Sequence, residues 1–370
     1  MVDGRTHILH CFGARPVSQF WTQFSLRYYR NVIEINEHVP LNEHGTFCVG
    51  GPARFFAIAT THQDVQEIKR FSVSDGLPLF VLGGGSNMLF GDAGFSGVVM
   101  KMAIGGIAAH GEIVVAGAGI DWDVLVAWTV AHGLFGLENL SGIPGTVGGA
   151  VVGNIGAYGK EMGDYLEWVT VVDGERVRRL SPRECHFGYR SSIFKTPAAK
   201  GWVVTEAAFK LSHKPAPALQ YPDLIDYFER RGVGREEVTP PALRSAVLDI
   251  RAAKLPDLGQ VGTAGSFFKN PVIDRSVFEA LKKRFPEMPG FPERNMPERV
   301  KVPAGWLLDK VCGFKGKRWG AVAVHDRQAL VLVAGKGAVA ADVAAAAAEM
   351  VAAVAAATGI TLEREVEYLF

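Results

Sequence analysis

The sequence is poor in cysteine, and this scarcity limits the classes of protein that it can encode. The 370 residues contain four cysteines, Cys11, Cys48, Cys185 and Cys312, with no C-x-x-C spacing. Disulfide-stapled folds and zinc ribbons need paired or closely spaced cysteines. We therefore expect reduced thiols, a cytoplasmic location and no metal site, and we interpret the run HILHC at residues 7–11 as a segment without a metal.

The sequence also lacks an excess of charge of either sign. Lysine and arginine total 39, aspartate and glutamate total 38, and the formal net charge is +1. No global field favours nucleic acid or an anionic membrane, so an anionic ligand has to be held by local positive groups. The longest apolar stretch, residues 340–357, is alanine-rich and is interrupted by Asp342 and Glu349. We predict a packed helix there rather than a membrane span.

Glycine is abundant, with 43 residues, and a first cluster reads GGGSN at residues 83–87. It follows an apolar strand that we predict at residues 78–82. Glycines at the end of a strand let successive N–H groups approach phosphate oxygens, although a tight structural turn would use the same residues. Neither a G-x-G-x-x-G sequence that opens a helix nor a Gly-Lys-Ser/Thr phosphate loop occurs at this position.

A second glycine-rich stretch covers residues 136–159 and reads GLENLSGIPGTVGGAVVGNIGAYG. It holds eight glycines and almost no charge, and we predict a loop because glycine disfavours helices. Long uncharged loops in a compact chain are usually functional. Two such loops are suited to hold the two ends of one extended cofactor.

Periodicity and capping residues predict a mixed chain of helices and strands. A turn and strand over 46–59, a helix over 61–74 and the strand at 78–82 form a βαβ-like unit. Asp121 is the expected N-cap of a helix over 122–131. The remaining predicted strands of the first half are 97–102, 112–116, 168–172, 176–180 and 202–211.

The PAPA stretch after Lys214 is typical of a linker. Beyond it, helices alternate with short strands, which indicates a separate α+β domain. The predicted helices are 223–231, 241–253, 275–285, 304–311 and 340–357, and the predicted strands are 321–324, 330–333 and a closing strand near the C-terminus.

Six motifs occur in an order that resembles the UDP-N-acetylenolpyruvoylglucosamine reductase (MurB) family. The resemblance runs from about residue 39 to the last residue. The motifs are GGGSN at 83–87, GLENLSGIPGTVGGA at 136–150, NIGAYG at 154–159, FGYRSSIFK at 187–195, AGSFFKNP at 264–271 and LEREVEYL at 362–369.

This resemblance implies an α+β fold. It combines an FAD-binding fold of the vanillyl-alcohol oxidase/PCMH type, built from two α/β subdomains, with a C-terminal α+β substrate domain. We expect a flexible extension at residues 1–36, FAD-binding subdomains at 37–104 and 105–214, and the substrate-binding domain at 215–370.

The resemblance also implies an NADPH-dependent reductase with non-covalent FAD. It would convert UDP-N-acetyl-3-O-(1-carboxyvinyl)glucosamine to UDP-N-acetylmuramate in peptidoglycan synthesis, with hydride from flavin N5. Arg190 corresponds to the arginine that holds the substrate carboxylate, and guanidinium geometry suits that role. Ser266 corresponds to the proton donor to carbon. Glu365 is the third catalytic position, although its alternation with Glu363 and Glu367 equally describes a solvated acidic face of a strand.

Further positions follow from the same motifs. Tyr221, Lys254, Asn270 and Gln328 match substrate-binding positions, and Tyr221 resembles a subgroup in which a tyrosine-bearing loop closes over the substrate, with Pro222 as a departure. The residues that match FAD-contacting positions are Gly83, Gly84, Gly85, Ser86, Asn87, Gly119, Ser141, Ile143, Gly145, Thr146, Gly149, Ile155 and Gly156.

Two other functions compete with this interpretation. A carbohydrate oxidase of the same fold would return electrons to oxygen, and many such enzymes attach FAD covalently to a histidine or cysteine that neither glycine loop contains. An inactive nucleotide-sugar binding module would be favoured if Arg190 or Ser266 were missing. We expect a monomer that binds a UDP-sugar and NADPH and neither nucleic acid nor a membrane.

Overall fold

The N-terminal half of the chain is built on a five-stranded sheet in the computed structural model, which describes residues 28–30, 33–293 and 296–370. The elements around this sheet are β1 Tyr28–Arg30, β2 Ile33–Pro40, β3 Pro52–Ala59, α1 His62–Ser74, β4 Leu79–Leu82, β5 Met88–Phe90 and β6 Phe95–Met102. The strand order is β1-β2-β3-β6-β4, and β6 is parallel to both β3 and β4. The expected βαβ-like unit is confirmed, with β6 inserted between its two strands.

Helix α1 forms where its apolar spacing predicts it. The Thr61 hydroxyl accepts a hydrogen bond from Asp64 N at 3.1 Å, and the Asp64 carboxylate accepts one from Thr61 N at 3.0 Å. This capping box satisfies backbone donors that the first turn would otherwise leave without partners. Val65 and Ile68 are fully buried against the sheet, so the helix covers one of its faces.

A second five-stranded sheet follows, with the order β12-β11-β13-β8-β7. The elements around it are β7 Ile107–His110, β8 Ile113–Gly117, α2 Trp122–Ala131, α3 Val147–Gly153, β9 Gly156–Ala157, β10 Lys160–Glu161, β11 Leu166–Asp173, β12 Arg176–Leu180 and β13 Val203–Lys210. The predicted N-cap of α2 is confirmed, since Asp121 Oδ1 accepts from Asp123 N at 2.9 Å and from Val124 N at 3.1 Å. One continuous core joins this sheet to the first.

The prediction that the second glycine-rich stretch contains no helix is wrong. Residues of that stretch form α3, and Thr146 is its N-cap, accepting from Gly149 N at 3.4 Å. A Cβ added to Gly148 would lie 3.0 Å from Ala118 Cβ, so the helix packs closely on the chain that follows β8. Tertiary packing and a cap therefore override the low helix propensity of glycine.

The proposed boundary of the extension at residue 36 also needs correction. Strand β2 begins at Ile33, and Ile33 and Ile35 are 7% and 2% exposed in the shared core. Residues 1–27, including the run HILHC, lie outside the described residues. The chain from Ile33 onward is therefore part of the first sheet.

We expect the Ile35→Ala variant to lose about 2 to 5 kcal/mol of the free energy of unfolding, because it leaves a cavity in the core. Urea unfolding followed by tryptophan fluorescence measures this loss. The matched control is Ile58→Ala on the neighbouring strand, where the side chain is 51% exposed and the change should be within about 0.5 kcal/mol. Equal effects of the two substitutions would contradict the burial of β2.

The C-terminal part of the chain contains two helical layers and small sheets. Its elements are α4 Pro222–Glu229, α5 Pro240–Lys254, β14 Val272–Asp274, α6 Arg275–Arg284, β15 Phe291–Glu293, β16 Met296–Lys301, α7 Ala304–Trp306 with a π-helix over Leu307–Val311, β17 Arg318–Trp319, β18 Val322–Val324, β19 Leu332–Ala334, α8 Ala340–Thr358 and β20 Glu367–Leu369. Helices α4 and α5 have a small core of their own. The other elements, apart from β15, share a core with Phe47, Val49 and Leu89.

Short 3₁₀ helices connect the larger elements. They are Leu41–Glu43, Glu138–Leu140, Met162–Asp164, Ile193–Lys195, Pro197–Ala199 and Arg235–Glu237. The last strand, β20, pairs in parallel with β5, next to the GGGSN motif. This pairing brings the C-terminal end of the chain to the first glycine loop.

Helix α8 is the one helix of the described residues that is long and apolar enough to cross a membrane. One of its faces is buried in the C-terminal core, through Val343, Met350 and Val354 among others. Its C-terminus is capped by Gly359, at φ +74. These contacts are typical of a core helix.

Cys185 and Cys312 are free thiols, and burial raises the pKa of Cys185 to about 12. The described residues contain no group of three or more histidine, cysteine, aspartate or glutamate side chains that could hold a metal ion.

Candidate active site

A cavity of about 860 Å³ lies where the two glycine-rich loops meet. Its wall contains the whole GGGSN motif, residues 83–87, and most of residues 142–157. Residues 263–266 and Glu365 contribute to the wall from the C-terminal part of the chain. Motifs that are far apart in sequence therefore line one space.

The first glycine loop is packed too closely to carry side chains. A Cβ added to Gly84 would lie 2.7 Å from Gly145 Cα in the second loop. Gly85 has φ +67, and its added Cβ would lie 2.0 Å from the His44 carbonyl oxygen. The Ser86 hydroxyl donates to the Pro144 carbonyl at 2.9 Å and ties the two loops together. Only glycine permits this approach, which leaves backbone groups exposed to a ligand.

The cavity fits the dinucleotide that the resemblance implies. Its wall joins backbone of two glycine loops, which suits a diphosphate, to apolar and aromatic side chains such as Phe80, Met102 and Trp202, which suit flat rings. No histidine or cysteine of the described residues lies in this wall. The described residues of the wall therefore include no side chain of the kind to which a flavin is usually attached covalently.

Arg190 reaches this cavity from a tight turn. Gly188 and Ser191 exchange backbone hydrogen bonds of 3.0 Å, and Arg190 between them has φ +52. A left-handed residue other than glycine costs about 1 to 3 kcal/mol, which the surrounding contacts must offset. Its Nη2 donates to the Gly156 carbonyl at 2.9 Å. Its Nε lies 2.8 Å from Glu365 Oε1, so the two side chains form an ion pair in the cavity wall.

Glu365, the other member of this ion pair, has a partly buried side chain that is 17% exposed, against 22% for Arg190. Burial raises the pKa of the Glu365 carboxyl, and the positive charges of Arg190, Lys195 and Lys269 oppose that rise. The protonated form is therefore more accessible near neutral pH than in an ordinary glutamate.

The acidic face predicted around Glu365 is only partly solvated. The side chains of Glu363 and Glu367 are 73% and 48% exposed, whereas that of Glu365 is turned into the cavity wall. Only Glu367–Leu369 of this segment forms a regular strand. Strict alternation therefore does not hold at Glu365.

Ser266 lies beside Glu365 because their segments are hydrogen-bonded. The carbonyl of Phe267 accepts from Glu365 N at 2.9 Å, and Ser266 forms a bridge with Val331. Ser266 is in the cavity wall, and its hydroxyl makes no hydrogen bond to another described residue. The hydroxyl is therefore available to a bound molecule.

Two asparagine side chains hold these segments in place. Asn87 Nδ2 donates to the Glu365 carbonyl at 2.9 Å, which joins the first glycine loop to the C-terminal segment. Asn154 Nδ2 donates to the Gly188 carbonyl at 2.9 Å, which joins the second glycine loop to the Arg190 turn. Both contacts link residues that local sequence cannot bring together.

The structure brings most of the expected FAD positions together. Those in the cavity wall are Gly83, Gly84, Gly85, Ser86, Asn87, Ile143, Gly145, Thr146, Gly149, Ile155 and Gly156. Ser141 and Gly119 are not in the wall. The Ser141 hydroxyl is fully buried and donates to the Glu138 carbonyl at 2.6 Å, while a Cβ at Gly119 would lie 2.6 Å from Ala103 Cα. Ser141 therefore makes its contact within the second glycine loop, and Gly119 packs against the chain that follows β6.

The expected substrate positions lie outside the cavity wall. The Tyr221 ring centroid is 5.2 Å from that of Tyr158, in the NIGAYG motif, and Lys254 Nζ lies 2.6 Å from Asp223 Oδ2. The first pair therefore sits beside the second glycine loop. Burial raises the pKa of Tyr158 to about 12, so its hydroxyl stays protonated.

The other two substrate positions make local hydrogen bonds. Asn270 Oδ1 accepts from Ala304 N at 2.9 Å, and Gln328 Oε1 accepts from Leu330 N at 3.4 Å. Asn270 N also donates to the Tyr189 hydroxyl at 3.4 Å, next to Arg190. Asn270 is therefore connected to the turn that carries the cavity's arginine.

Sequence reasoning missed several basic residues of the cavity wall, namely Lys195, Arg251 and Arg327. Arg251 Nε donates to the Gly142 carbonyl at 3.0 Å, and burial lowers the pKa of this guanidinium from its ordinary value. Arg251 precedes Lys254 by three residues, so helical spacing on α5 puts both on one face. That spacing is the signal that could have found it.

The chain was compared with known proteins. The family model described as an FAD binding domain matches residues 53–178, and the model described as the C-terminal domain of UDP-N-acetylenolpyruvoylglucosamine reductase matches residues 257–369. The UDP-N-acetylenolpyruvoylglucosamine reductase of Burkholderia orbicola (strain MC0-3) is 45% identical over 334 residues, which are 88% of this chain and 94% of that protein. The protein of the same name from Burkholderia multivorans is 43% identical over 333 residues, with the same coverage.

A solved structure is also similar. The crystal structure of UDP-N-acetylenolpyruvylglucosamine reductase (MurB) from Thermus caldophilus superposes with a TM-score of 0.64 at 27% sequence identity. The match covers 92% of this chain and 100% of that one. Sequence and structure therefore lead to the same group of relatives.

Proposed function

The chain belongs to the UDP-N-acetylenolpyruvoylglucosamine reductase family, and from this premise we propose how its own residues carry out the family's reaction. It is an FAD flavoprotein with the FAD-binding fold of the vanillyl-alcohol oxidase/PCMH type. It uses NADPH to reduce UDP-N-acetyl-3-O-(1-carboxyvinyl)glucosamine to UDP-N-acetylmuramate, a step of peptidoglycan synthesis.

One observation carries the assignment of residues. Arg190, Ser266 and Glu365 line the same cavity as both glycine loops. FAD bound in this cavity would supply the redox chemistry, namely hydride transfer between NADPH and the substrate. Three tasks remain for the protein: to hold the substrate carboxylate, to stabilise an enolate and to protonate the second vinyl carbon.

We assign the binding of the substrate carboxylate to Arg190. Its guanidinium lies in the cavity wall, and its permanent charge survives partial burial. As negative charge moves into the carboxylate, the fixed cation gains interaction energy without reorganisation.

We assign the stabilisation of the enolate to Glu365 together with Arg190. The raised pKa of Glu365 favours a protonated carboxyl that donates a hydrogen bond to an enolate oxygen. Proton transfer to carbon falls to Ser266, whose hydroxyl has no competing partner among the described residues. An enolate carbon is basic enough to take a hydroxyl proton within hydrogen-bond distance.

We further propose that Tyr221, Lys254, Asn270 and Gln328 contact the UDP-sugar outside the cavity, and that Gly119 and Ser141 support the FAD loops. The three-domain division at residues 104 and 214 remains a proposal, supported by the two sheets and by a C-terminal core cluster that is distinct from the cluster joining the sheets. A cytoplasmic monomer that binds neither nucleic acid nor a membrane is supported by the balanced charge and by the buried face of α8.

We expect anaerobic NADPH to bleach the visible flavin absorbance, and the enolpyruvyl UDP-sugar then to restore it without oxygen. These two additions, made in this order, test the cofactor, the reductant and the oxidant together. Acid precipitation should release all the yellow colour, because the cavity wall holds no histidine or cysteine. Reoxidation by oxygen alone, or flavin retained in the pellet, would instead favour a carbohydrate oxidase.

A further inference from the structure

Lys101 is a partly buried cation next to the first glycine loop. It lies in β6 opposite Leu82 of β4, and Leu82 is the residue before Gly83. Its Nζ donates to the Gly83 carbonyl at 2.5 Å. Burial alone lowers the pKa of this ammonium to about 8.

This ammonium has no counterion among the described residues. None of the ion pairs among the described residues includes Lys101. His44 is the titratable group that couples to it, and burial together with the Lys101 charge lowers the pKa of His44 to about 4, so this ring is neutral near pH 7. Glu43 on the same segment and Arg54 on β3 are both exposed. A buried charge that lacks an anion is costly, which makes an absent ligand its expected partner.

The loop separates Lys101 from the cavity. His44 packs against Gly85 on one side, and Gly145 packs against Gly84 on the other. In a trans peptide, the carbonyl of Gly83 and the N–H of Gly84 point in opposite directions. The carbonyl that accepts from Lys101 therefore directs the next N–H away from the lysine and toward the side of the second loop.

We propose that Lys101 is a positioning residue for FAD, whose charge polarises the Gly83–Gly84 peptide and balances the diphosphate bound on the other side of the loop. The inference rests on the FAD site of the proposed function. A hydrogen bond from a cation strengthens the next donor in the chain, and a low-dielectric surrounding preserves the attraction.

Titration of the apoprotein with FAD tests this inference. We expect Lys101→Met and Lys101→Gln each to weaken FAD binding about 10-fold to 100-fold, because glutamine can keep the donor but loses the charge. Lys101→Arg should retain most of the affinity. The matched control is Lys69→Met. Lys69 also donates to a glycine carbonyl, that of Gly201, but it lies outside the cavity wall. The FAD affinity of this variant should not change.

The pH dependence and the apoprotein stability supply a second readout. Bound diphosphate raises the pKa of Lys101 above its unbound value, so wild-type affinity should fall as the pH rises through about 8, whereas Lys101→Arg should show no such step. The melting temperature of the Lys101→Met apoprotein should be unchanged or higher, because an unpaired buried charge is removed.

Unchanged FAD affinity in Lys101→Met would overturn the inference. A lower apoprotein melting temperature that accounts for the lost affinity would overturn it too, since it would indicate a merely structural lysine. Failure of the wild-type protein to bind FAD would count against the proposed function itself, and so the two outcomes are distinguishable.

Discussion

The Ser266→Ala variant is expected to keep a near-normal rate of flavin reduction by NADPH and to lose about 100-fold to 10,000-fold in the rate of reoxidation by the enolpyruvyl substrate. The reason is that Ser266 is assigned one task, protonation of the substrate carbon, which occurs only in the second half-reaction. Alanine removes the donor without adding bulk. Stopped-flow absorbance under anaerobic conditions measures the two half-reactions separately.

Two further variants test whether the loss of rate is specific to proton donation by Ser266. Ser266→Cys should recover part of the reoxidation rate, because a thiol also donates a proton. Ser86→Ala removes another hydroxyl of the cavity wall, one that donates to the Pro144 carbonyl, and should affect FAD retention rather than the second half-reaction. If Ser266→Ala slowed both half-reactions equally, Ser266 would be a residue of folding or positioning and the proton-donor role would have to be abandoned.

The Arg190→Met variant should lose both catalysis and stability. We expect kcat/KM for the enolpyruvyl substrate to fall roughly 30-fold to several-thousand-fold, which corresponds to about 2 to 5 kcal/mol for truncating one partner of a buried charge pair. We also expect a loss of about 3 kcal/mol in the free energy of unfolding near pH 7, because the Glu365 carboxylate is left without its cation. Steady-state kinetics and urea unfolding measure the two losses.

The pH dependence of the stability loss follows from Glu365. Burial already raises the pKa of Glu365 above 4.5, and removal of Arg190 raises it further. A carboxyl with a raised folded-state pKa favours the fold at acidic pH, and that contribution disappears as the pH rises through the folded pKa. The stability loss of Arg190→Met should therefore be small below about pH 4.5 and should grow as the pH is raised.

Two controls isolate the charge pair. The double variant Arg190→Met/Glu365→Gln should regain stability but not activity, because no buried charge remains while the carboxylate site is still lost. Arg178→Met removes the cation of an exposed pair, Arg178 with Asp173 at 3.0 Å, and should cost less than about 1 kcal/mol. A double variant as unstable as Arg190→Met would show that packing of the arginine, rather than its charge, stabilises the fold.

Features that depend on neighbouring residues could be predicted from the sequence. The apolar spacing after Thr61 and the cap at Asp121 specify α1 and α2 to within one residue. Glycine is required where the two loops touch, because a Cβ at Gly84 would lie 2.7 Å from Gly145 Cα. Motif resemblance then selected Arg190, Ser266 and Glu365, which the structure brings to one cavity.

Features that depend on distant partners required the complete fold. Helix α3 forms in a glycine-rich stretch where Gly148 packs on Ala118. Glu365 lies in the cavity wall while Glu363 is exposed, and Asn87, 278 residues away, holds the Glu365 backbone. Lys101 has no sequence signature, since its lack of a counterion is a property of the space around it. Local patterns record propensity over a few residues, whereas burial and charge pairing arise from contacts between chain segments that only the complete fold brings together.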